Sequence, residues 1–288
     1  MSGQAIEKKI QALKSTYKVV RVTELATLGK LGYLRQRAEQ AVVYYENILE
    51  NLRYVKNNMY LSRNSVEEKR ITVLVITSDR GLCGSYNNNI FEQLDAFLAT
   101  VKEDQTVDFY VIGEQGKEYL LRRKQQIKSY LKISLEEITL ETADALALEF
   151  IKSIYQGETD GLYIIFTKYI SAVSSTALKQ KVYPETDQSS SEDNSSEYIL
   201  DYDESDEEIE QLLLTNYISG LLYSVFLYSV ASENCTRRIV MKEAKDNIEK
   251  QLEEIIREKR KIDRQNQTNE LMDIINGSSV IRKGEENC

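Results

Sequence analysis

Fourteen positions among the first fifty-two residues fall on one alternating step of four and three. They are Ile6, Ile10, Leu13, Tyr17, Val20, Glu24, Thr27, Leu31, Leu34, Ala38, Ala41, Tyr45, Ile48 and Leu52, and only Glu24 and Thr27 interrupt the apolar seam. A sustained 3.5-residue repeat predicts a helix that supercoils left-handedly about a partner, not an ordinary surface helix. About fifty residues at about 1.5 Å each make a rod of about 75 Å. That is longer than a compact domain of this size, so the rod protrudes or passes through something.

A partner is available in the same chain. From Asn216 to Ile275 there is no proline and one interior glycine, Gly220, and Val240, Ala244, Ile248, Leu252, Ile255 and Ile262 form a second stripe at helical spacing. The stripe weakens after Ile262, where Arg264, Gln265, Asn266, Gln267 and Asn269 crowd in. The stretch from Gln211 to Ser232 carries no charge; its Gln, Asn, Ser and Tyr content favours a buried helix start over a membrane span. Between the two helices lie Ile71-Thr-Val-Leu-Val-Ile-Thr77, Val107-Asp-Phe-Tyr-Val-Ile112 and Leu162-Tyr-Ile-Ile-Phe166, apolar runs of the kind that buried parallel strands show. Helical patterns around Asn88–Lys102 and Ala143–Gln156 separate them, which predicts an open α/β sheet with right-handed crossovers. The expected segments are 1–60 for the first helix, 68–182 for the α/β domain, 183–210 for an acidic loop, 211–281 for the second helix and 282–288 for a tail.

Charge and composition exclude several functions. The net charge of −9 is local: twelve acidic residues and no Lys or Arg fall between Glu185 and Glu210, and the remainder is slightly basic. Histidine is absent from the chain, which removes Ser-His-Asp triads, Cys-His dyads and imidazole-dependent metal sites. Three scattered cysteines, Cys83, Cys235 and Cys288, make neither a disulfide framework nor a four-thiolate zinc site, and fit a reducing cytosol. The N-terminus is amphipathic and charged, with no apolar core of an export signal.

The densest motif is Thr77-Ser-Asp-Arg-Gly-Leu-Cys-Gly84 with Asn87, placed where doubly wound sheets carry ligand loops. Cys83 near a helix start could be a nucleophile, but no histidine base exists and no GxGxxG or GxxxxGK[ST] cradle occurs. A tight structural turn around a small buried thiol is the favoured reading. The basic residues of the helices, Lys8, Lys9, Lys14, Lys18, Arg21, Lys30, Arg35 and Arg37 on one and Arg237, Arg238, Lys242 and Lys245 on the other, fit a solvated coiled-coil exterior or a rod inside an acidic protein sleeve. No aromatic platform or recognition motif accompanies them, so no nucleic-acid partner is expected.

Ser78-Asp-Arg-Gly-Leu-Cys-Gly84 with Asn87, between two long terminal helices, resembles the gamma subunit of F-type ATP synthases. The first helix is similar in Ile10, Leu13, Thr16, Lys18, Glu24 and Lys30. The last is similar in Ser232-Glu233, Arg237, Met241-Lys242, Asp246-Asn247 and the closing Thr268, Glu270-Leu271, Ile274-Ile275 and Gly277. The resemblance implies an α/β fold class: a long antiparallel coiled coil of N- and C-terminal helices with a central open, Rossmann-like domain. It implies a rotor shaft that turns inside a ring of three alpha and three beta subunits and alters their nucleotide affinity, on the inner face of the cell membrane, with an epsilon subunit and a proton-conducting ring at its foot. The shaft would hold no cofactor, with ATP, ADP and Mg on the partner subunits.

By the same resemblance, ring contacts fall to Lys14, Lys18, Arg21, Lys30, Arg237, Lys242, Thr268, Asn269 and Glu270. Foot contacts fall to Tyr198 and Asp201, and a structural role to Asp79, Arg80, Gly81, Leu82, Cys83, Gly84 and Asn87. The foot departs from the family pattern, with Leu200 for an aromatic and Tyr202 for proline. Two alternatives stay open: a gamma-like shaft of a paralogous ATP-hydrolysing motor that drives motility in place of proton transport, and a coiled-coil tether that does not rotate.

Overall fold

The structure, a computed structural model, describes residues 3–58, 68–171, 174–184 and 206–285. Tyr198, Asp201 and most of the acidic segment lie outside the described residues. Eleven elements follow in order: α1 (Gly3–Asn58), β1 (Arg70–Ile76), α2 (Tyr86–Leu98), β2 (Thr106–Ile112), α3 (Glu114–Arg122), β3 (Ile127–Leu131), a short 3-10 turn (Leu135–Glu137), α4 (Leu140–Tyr155), β4 (Gly161–Ser171), β5 (Ser174–Tyr183) and α5 (Asp206–Glu285). Two compact units result, one from residues up to Ala26 together with those from Val240 onward, the other from Thr27–Ile239.

The larger unit is a five-stranded sheet in the order β3-β2-β1-β4-β5. Its first four members run parallel, and β5 returns antiparallel against β4. Six of the seven residues of β1 are buried, because helices cover both faces of the sheet. Strand alternation sends Leu74 and Ile76 to one face and Val73 and Val75 to the other. The first face packs with Tyr110, Ile112, Leu162 and Ile164 against α4, through Phe150 and Ile151, and against α5, through Ile218, Leu221, Leu222, Val225 and Phe226. The second face packs with Phe109 and Val111 against Ile90 and Leu94 of α2 and Leu120 of α3. The uncharged 211–232 stretch of α5 is therefore core, with Tyr217, Ile218, Leu221, Leu222, Val225 and Phe226 all buried. Full burial of a side chain such as Phe226 contributes on the order of 2–3 kcal/mol relative to leaving it in water.

Three strands were readable as apolar runs; β3 and β5 were not. Both are edge strands with one mostly wet face, and Lys128, Ser129, Ser174, Ser175, Thr176, Lys179, Gln180 and Lys181 blur their alternation. At the other end of the acidic segment, α5 begins at Asp206, where the composition alone reads as loop. Helix also continues past 281, through Arg282 and Lys283 to Glu285.

The smaller unit is the paired seam of α1 and α5. Val20, Met241 and Ile248 are buried together, with Leu13, Tyr17, Val240, Ala244 and Leu252 half-buried around them. Polar ties run in antiparallel sequence along it: Lys259 Nζ to Glu7 Oε1 at 2.7 Å, Tyr17 Oη to Glu249 Oε1 at 2.7 Å, and Lys245 Nζ to Glu24 Oε2 at 2.9 Å. As residue numbers rise on one helix they fall on the other. Ile6 and Ile255 are also buried in this unit, and from Asp263 to Ile275 every residue of α5 is exposed.

One glycine is forced by the sheet. Gly113, between β2 and α3, has φ +94, and a Cβ there would meet the Thr77 carbonyl oxygen at 2.2 Å. Gly113→Ala should lower unfolding free energy by about 3 kcal/mol, combining backbone strain with overpacking. A shift of the urea midpoint of the full-length chain at unchanged slope checks this.

Candidate functional site

The loop after β1 sits at the point where the sheet order reverses, between β1 and β4, where open α/β sheets place their ligands. Here the loop closes on itself. The Thr77 amide donates to the Ile112 carbonyl at 2.9 Å, and Thr77 Oγ1 accepts from the Gly116 amide at 2.8 Å. Asn87, in the first turn of α2, reaches back: its Oδ1 accepts from the Ser78 amide at 3.1 Å, and its Nδ2 donates to Ser78 Oγ at 2.7 Å and to Cys83 Sγ at 3.3 Å. Ser78 Oγ donates in turn to the Arg80 carbonyl at 2.7 Å. Cys83 is 2% exposed and packs with Tyr86, Ile90 and Leu94. The polar capacity of Ser78 and Asn87 is consumed inside the turn, so these side chains brace the loop.

Leu82 breaks the pattern of its neighbours. Its φ is +63, in the left-handed region that favours glycine or asparagine, and its side chain is 75% exposed. Gly84 takes φ +60 at the far side of Cys83, so two left-handed residues turn the thiol inward. Asp79, Arg80 and Gly81 are exposed on the outside of the same turn.

Charged ties also link α1, the 3-10 turn and α5 within the larger unit. Glu233 of α5 is buried and pairs with Arg237 at 2.7 Å. Burial raises the Glu233 carboxyl above the ordinary range; Arg237 pulls the other way, and the charges of Glu136 and Asp79 add to the rise. Lys30 of α1 pairs with Glu136 of the 3-10 turn at 2.5 Å. Arg37 of α1 lies over the rings of Tyr33 and Tyr223 and donates to the Tyr223 hydroxyl. These contacts hold the lower part of α1 to the 3-10 turn and to α5.

The residues assigned to partner contact divide into three groups. Lys14, Lys18, Arg21 and Lys242 are exposed on the paired seam, and Thr268, Asn269 and Glu270 are exposed on the stretch of α5 beyond it. Lys30 and Arg237 instead direct their charge to Glu136 and Glu233, with the Arg237 side chain only 15% exposed. Tyr198 and Asp201 fall outside the described residues. Sequence reasoning missed Lys245, Glu136 and Lys259 as structural partners. Glu24 did leave a signal, since a carboxylate in an apolar heptad seam needs a cation, and Lys245 supplies it. At the end of the seam, Arg257, Arg260, Lys261 and Arg264 line one basic face of α5 that continues to Thr268. Among the described residues no group of three or more acidic or thiol side chains could hold a metal ion.

Across residues 2–281 the chain matches the ATP synthase family model. It is similar to the ATP synthase gamma chain of Caldicellulosiruptor saccharolyticus, 25% identical over 288 residues that cover 96% of this chain and 98% of that one. It is 28% identical over 299 residues to the ATP synthase gamma chain of Frankia casuarinae, covering 99% and 100%. Among solved structures, a chain of the Euglena gracilis mitochondrial ATP synthase assembly of OSCP, F1 and c-ring superposes with a TM-score of 0.65 at 15% identity, covering 98% of this chain and 95% of that one. A chain of the Tetrahymena thermophila mitochondrial ATP synthase central stalk and c-ring superposes with a TM-score of 0.60 at 20% identity, covering 78% and 99%. At these identities the superpositions establish the fold.

Two measurements test this arrangement. Leu82→Asn should stabilise the chain by about 1 kcal/mol, because asparagine tolerates the left-handed backbone that leucine resists; denaturant unfolding reads it. Glu233 binds a proton more readily folded than unfolded, so its contribution to stability rises as pH falls from neutral through its folded pKa, and levels off below the ordinary carboxylate range. The stability difference between wild type and Glu233→Gln should therefore move in favour of wild type between pH 7 and pH 5. A pH-independent difference in urea midpoint would contradict the burial of that carboxyl.

Proposed function

The chain belongs to the ATP synthase family, within which the relatives above are gamma chains, and on that premise we propose that it is the central rotor shaft of an F-type ATP synthase. In this reading α1 and α5 turn inside a ring of three alpha and three beta subunits. ATP, ADP and Mg belong on those partners, and this chain holds no cofactor and performs no bond chemistry. An epsilon-type subunit and the membrane ring meet its foot, which makes the complex peripheral on the inner face of the cell membrane.

The observation that carries the reading is the stretch of α5 past the seam. Leu271, Met272, Ile274 and Ile275 are 54–68% exposed, within a stretch of α5 in which every residue from Asp263 to Ile275 is exposed. On α1, Val19, Val22 and Leu25 are 57–66% exposed on the side away from the seam. Four large apolar side chains within five residues make a surface that water disfavours and a closed protein sleeve would cover. Lys14, Lys18, Arg21 and Lys242 are exposed on the same seam, available to acidic loops of such a sleeve. Coupling then follows from reciprocity: if nucleotide occupancy biases the angle of an asymmetric shaft, the angle biases nucleotide affinity by the same free energy.

Affinity purification of the full-length protein under mild detergent, with mass analysis of what co-elutes, is the test. Alpha, beta, delta, epsilon and ring subunits are the expected set. Alpha- and beta-like subunits without any ring component would assign the shaft to a paralogous hydrolytic motor. Absence of both ATPase subunits would overturn the rotary reading in favour of a tether. The isolated chain should show no nucleotide turnover, and Cys83→Ser should leave that unchanged.

A further inference from the structure

α1 carries two interior glycines, Gly29 and Gly32, that its packing does not call for. Both are exposed, and a Cβ built at either would meet no atom within 4 Å. In a helix interior each glycine disfavours the helical state about fivefold relative to alanine. Their neighbours add to that cost. Of the fourteen residues from Val19 to Gly32, five are β-branched: Val19, Val20, Val22, Thr23 and Thr27. The Thr23 hydroxyl also donates to the Val19 carbonyl at 2.9 Å, a back-bond of the kind that bends helices. α5 has no comparable stretch, since from Leu221 to Asn276 it holds neither glycine nor proline.

The helix is anchored on both sides of these glycines. Before them, Val20 is buried in the seam and Glu24 is tied to Lys245. After them, Leu34 packs on the core of the larger unit and Arg37 donates to the Tyr223 hydroxyl. Between them, Lys30 meets Glu136 through side chains 53% and 42% exposed, and pairs that open to water hold weakly. α1 also passes from the smaller unit to the larger at Ala26–Thr27, within one turn of Gly29. We infer that the turn around Gly29 and Gly32 is a yielding segment of α1, which opens and bends more readily than the turns on either side while its anchors stay made. Glycine lowers the cost of distorted backbone, and no neighbour packs on these two positions to resist the distortion. Bend or twist imposed on the seam part of α1 is then taken up here before it reaches Leu34 and Arg37. The property belongs to α1 itself and holds whether or not the chain is a rotor.

Native-state amide exchange of the full-length chain reads the opening. Amides from Gly29 to Tyr33 are expected to open about tenfold more readily than those of Tyr17–Glu24 and Leu34–Arg37, because two glycines weigh about fivefold each. Gly29→Ala and Gly32→Ala should each lower that opening about fivefold, and the double variant about twenty-five-fold, since both positions have room for the methyl group. Equal protection from Tyr17 to Arg37 in the wild type, or no change in the double variant, overturns the inference. Bending is read separately by spin labels on Lys18→Cys and Gln36→Cys in a Cys288→Ser background, with Cys83 and Cys235 buried. These two positions are exposed and lie about 27 Å apart along a straight helix. Their distance distribution should narrow when the two glycine-to-alanine changes are added. A wild-type distribution already as narrow as that of the double variant means a rigid helix and overturns the yielding segment.

Discussion

Burial of the uncharged 211–232 stretch of α5 against the sheet is the constraint on which the larger unit depends. β1 is covered on both faces, and on one of them the cover is α4 together with Ile218, Leu221, Leu222, Val225 and Phe226 of α5. Without that helix, the face carrying Leu74, Ile76, Ile112 and Ile164 would be open to water. The same helix is tied to β4, where Ser232 Oγ donates to the Thr167 carbonyl. A doubly wound sheet ordinarily leaves a crevice for a ligand at its switch point. Here the turn from Ser78 to Asn87 is braced internally by the Asn87 side chain.

Polar residues within the helical interfaces have a different task from the apolar ones. Glu24 in the seam, Glu233 on α5 and Glu136 on the 3-10 turn each take one cation, at distances of 2.9, 2.7 and 2.5 Å. Such pairs contribute little net stability, because desolvation offsets the attraction, and exposed ones such as Lys30 with Glu136 contribute least. Their value lies in selectivity: an apolar seam accepts any apolar partner, while a carboxylate within it accepts only an arrangement that brings a cation. Glu24 therefore distinguishes one pairing of α1 with α5 from others that the heptad alone would allow.

Sequence patterning revealed elements in proportion to how fully they are buried. The heptad of α1, the stripe ending at Ile262 and the three apolar strands were legible because burial on a defined face imposes a period. The end of the stripe was informative in itself, since α5 is fully exposed from Asp263 to Ile275. β3 and β5 stayed hidden because edge strands satisfy half their surface with water and carry Lys and Ser there. The helix of α5 starts at Asp206, inside the stretch whose composition reads as loop. At the site, the turn around Cys83 was readable from spacing and the absence of a base. The internal engagement of Lys30 and Arg237 was not, because Glu136 and Glu233 are brought to them by chain folding and by burial, neither of which a linear charge pattern displays.

On the shaft reading, the division of labour along α5 explains how this chain acts on the subunits around it. One stretch of a single helix is fixed by core packing; another pairs with α1 and ends in a basic face at Arg257, Arg260, Lys261 and Arg264; the last is exposed and apolar at Leu271, Met272, Ile274 and Ile275. A surrounding ring of like subunits would meet different parts of this surface from different directions, because no two faces of the helix present the same residues. Differences in contact free energy between those directions are what a rotating shaft needs in order to make chemically identical sites unequal. Charge and apolarity distributed unevenly about an axis are sufficient for that, and the exposed part of α5 carries both.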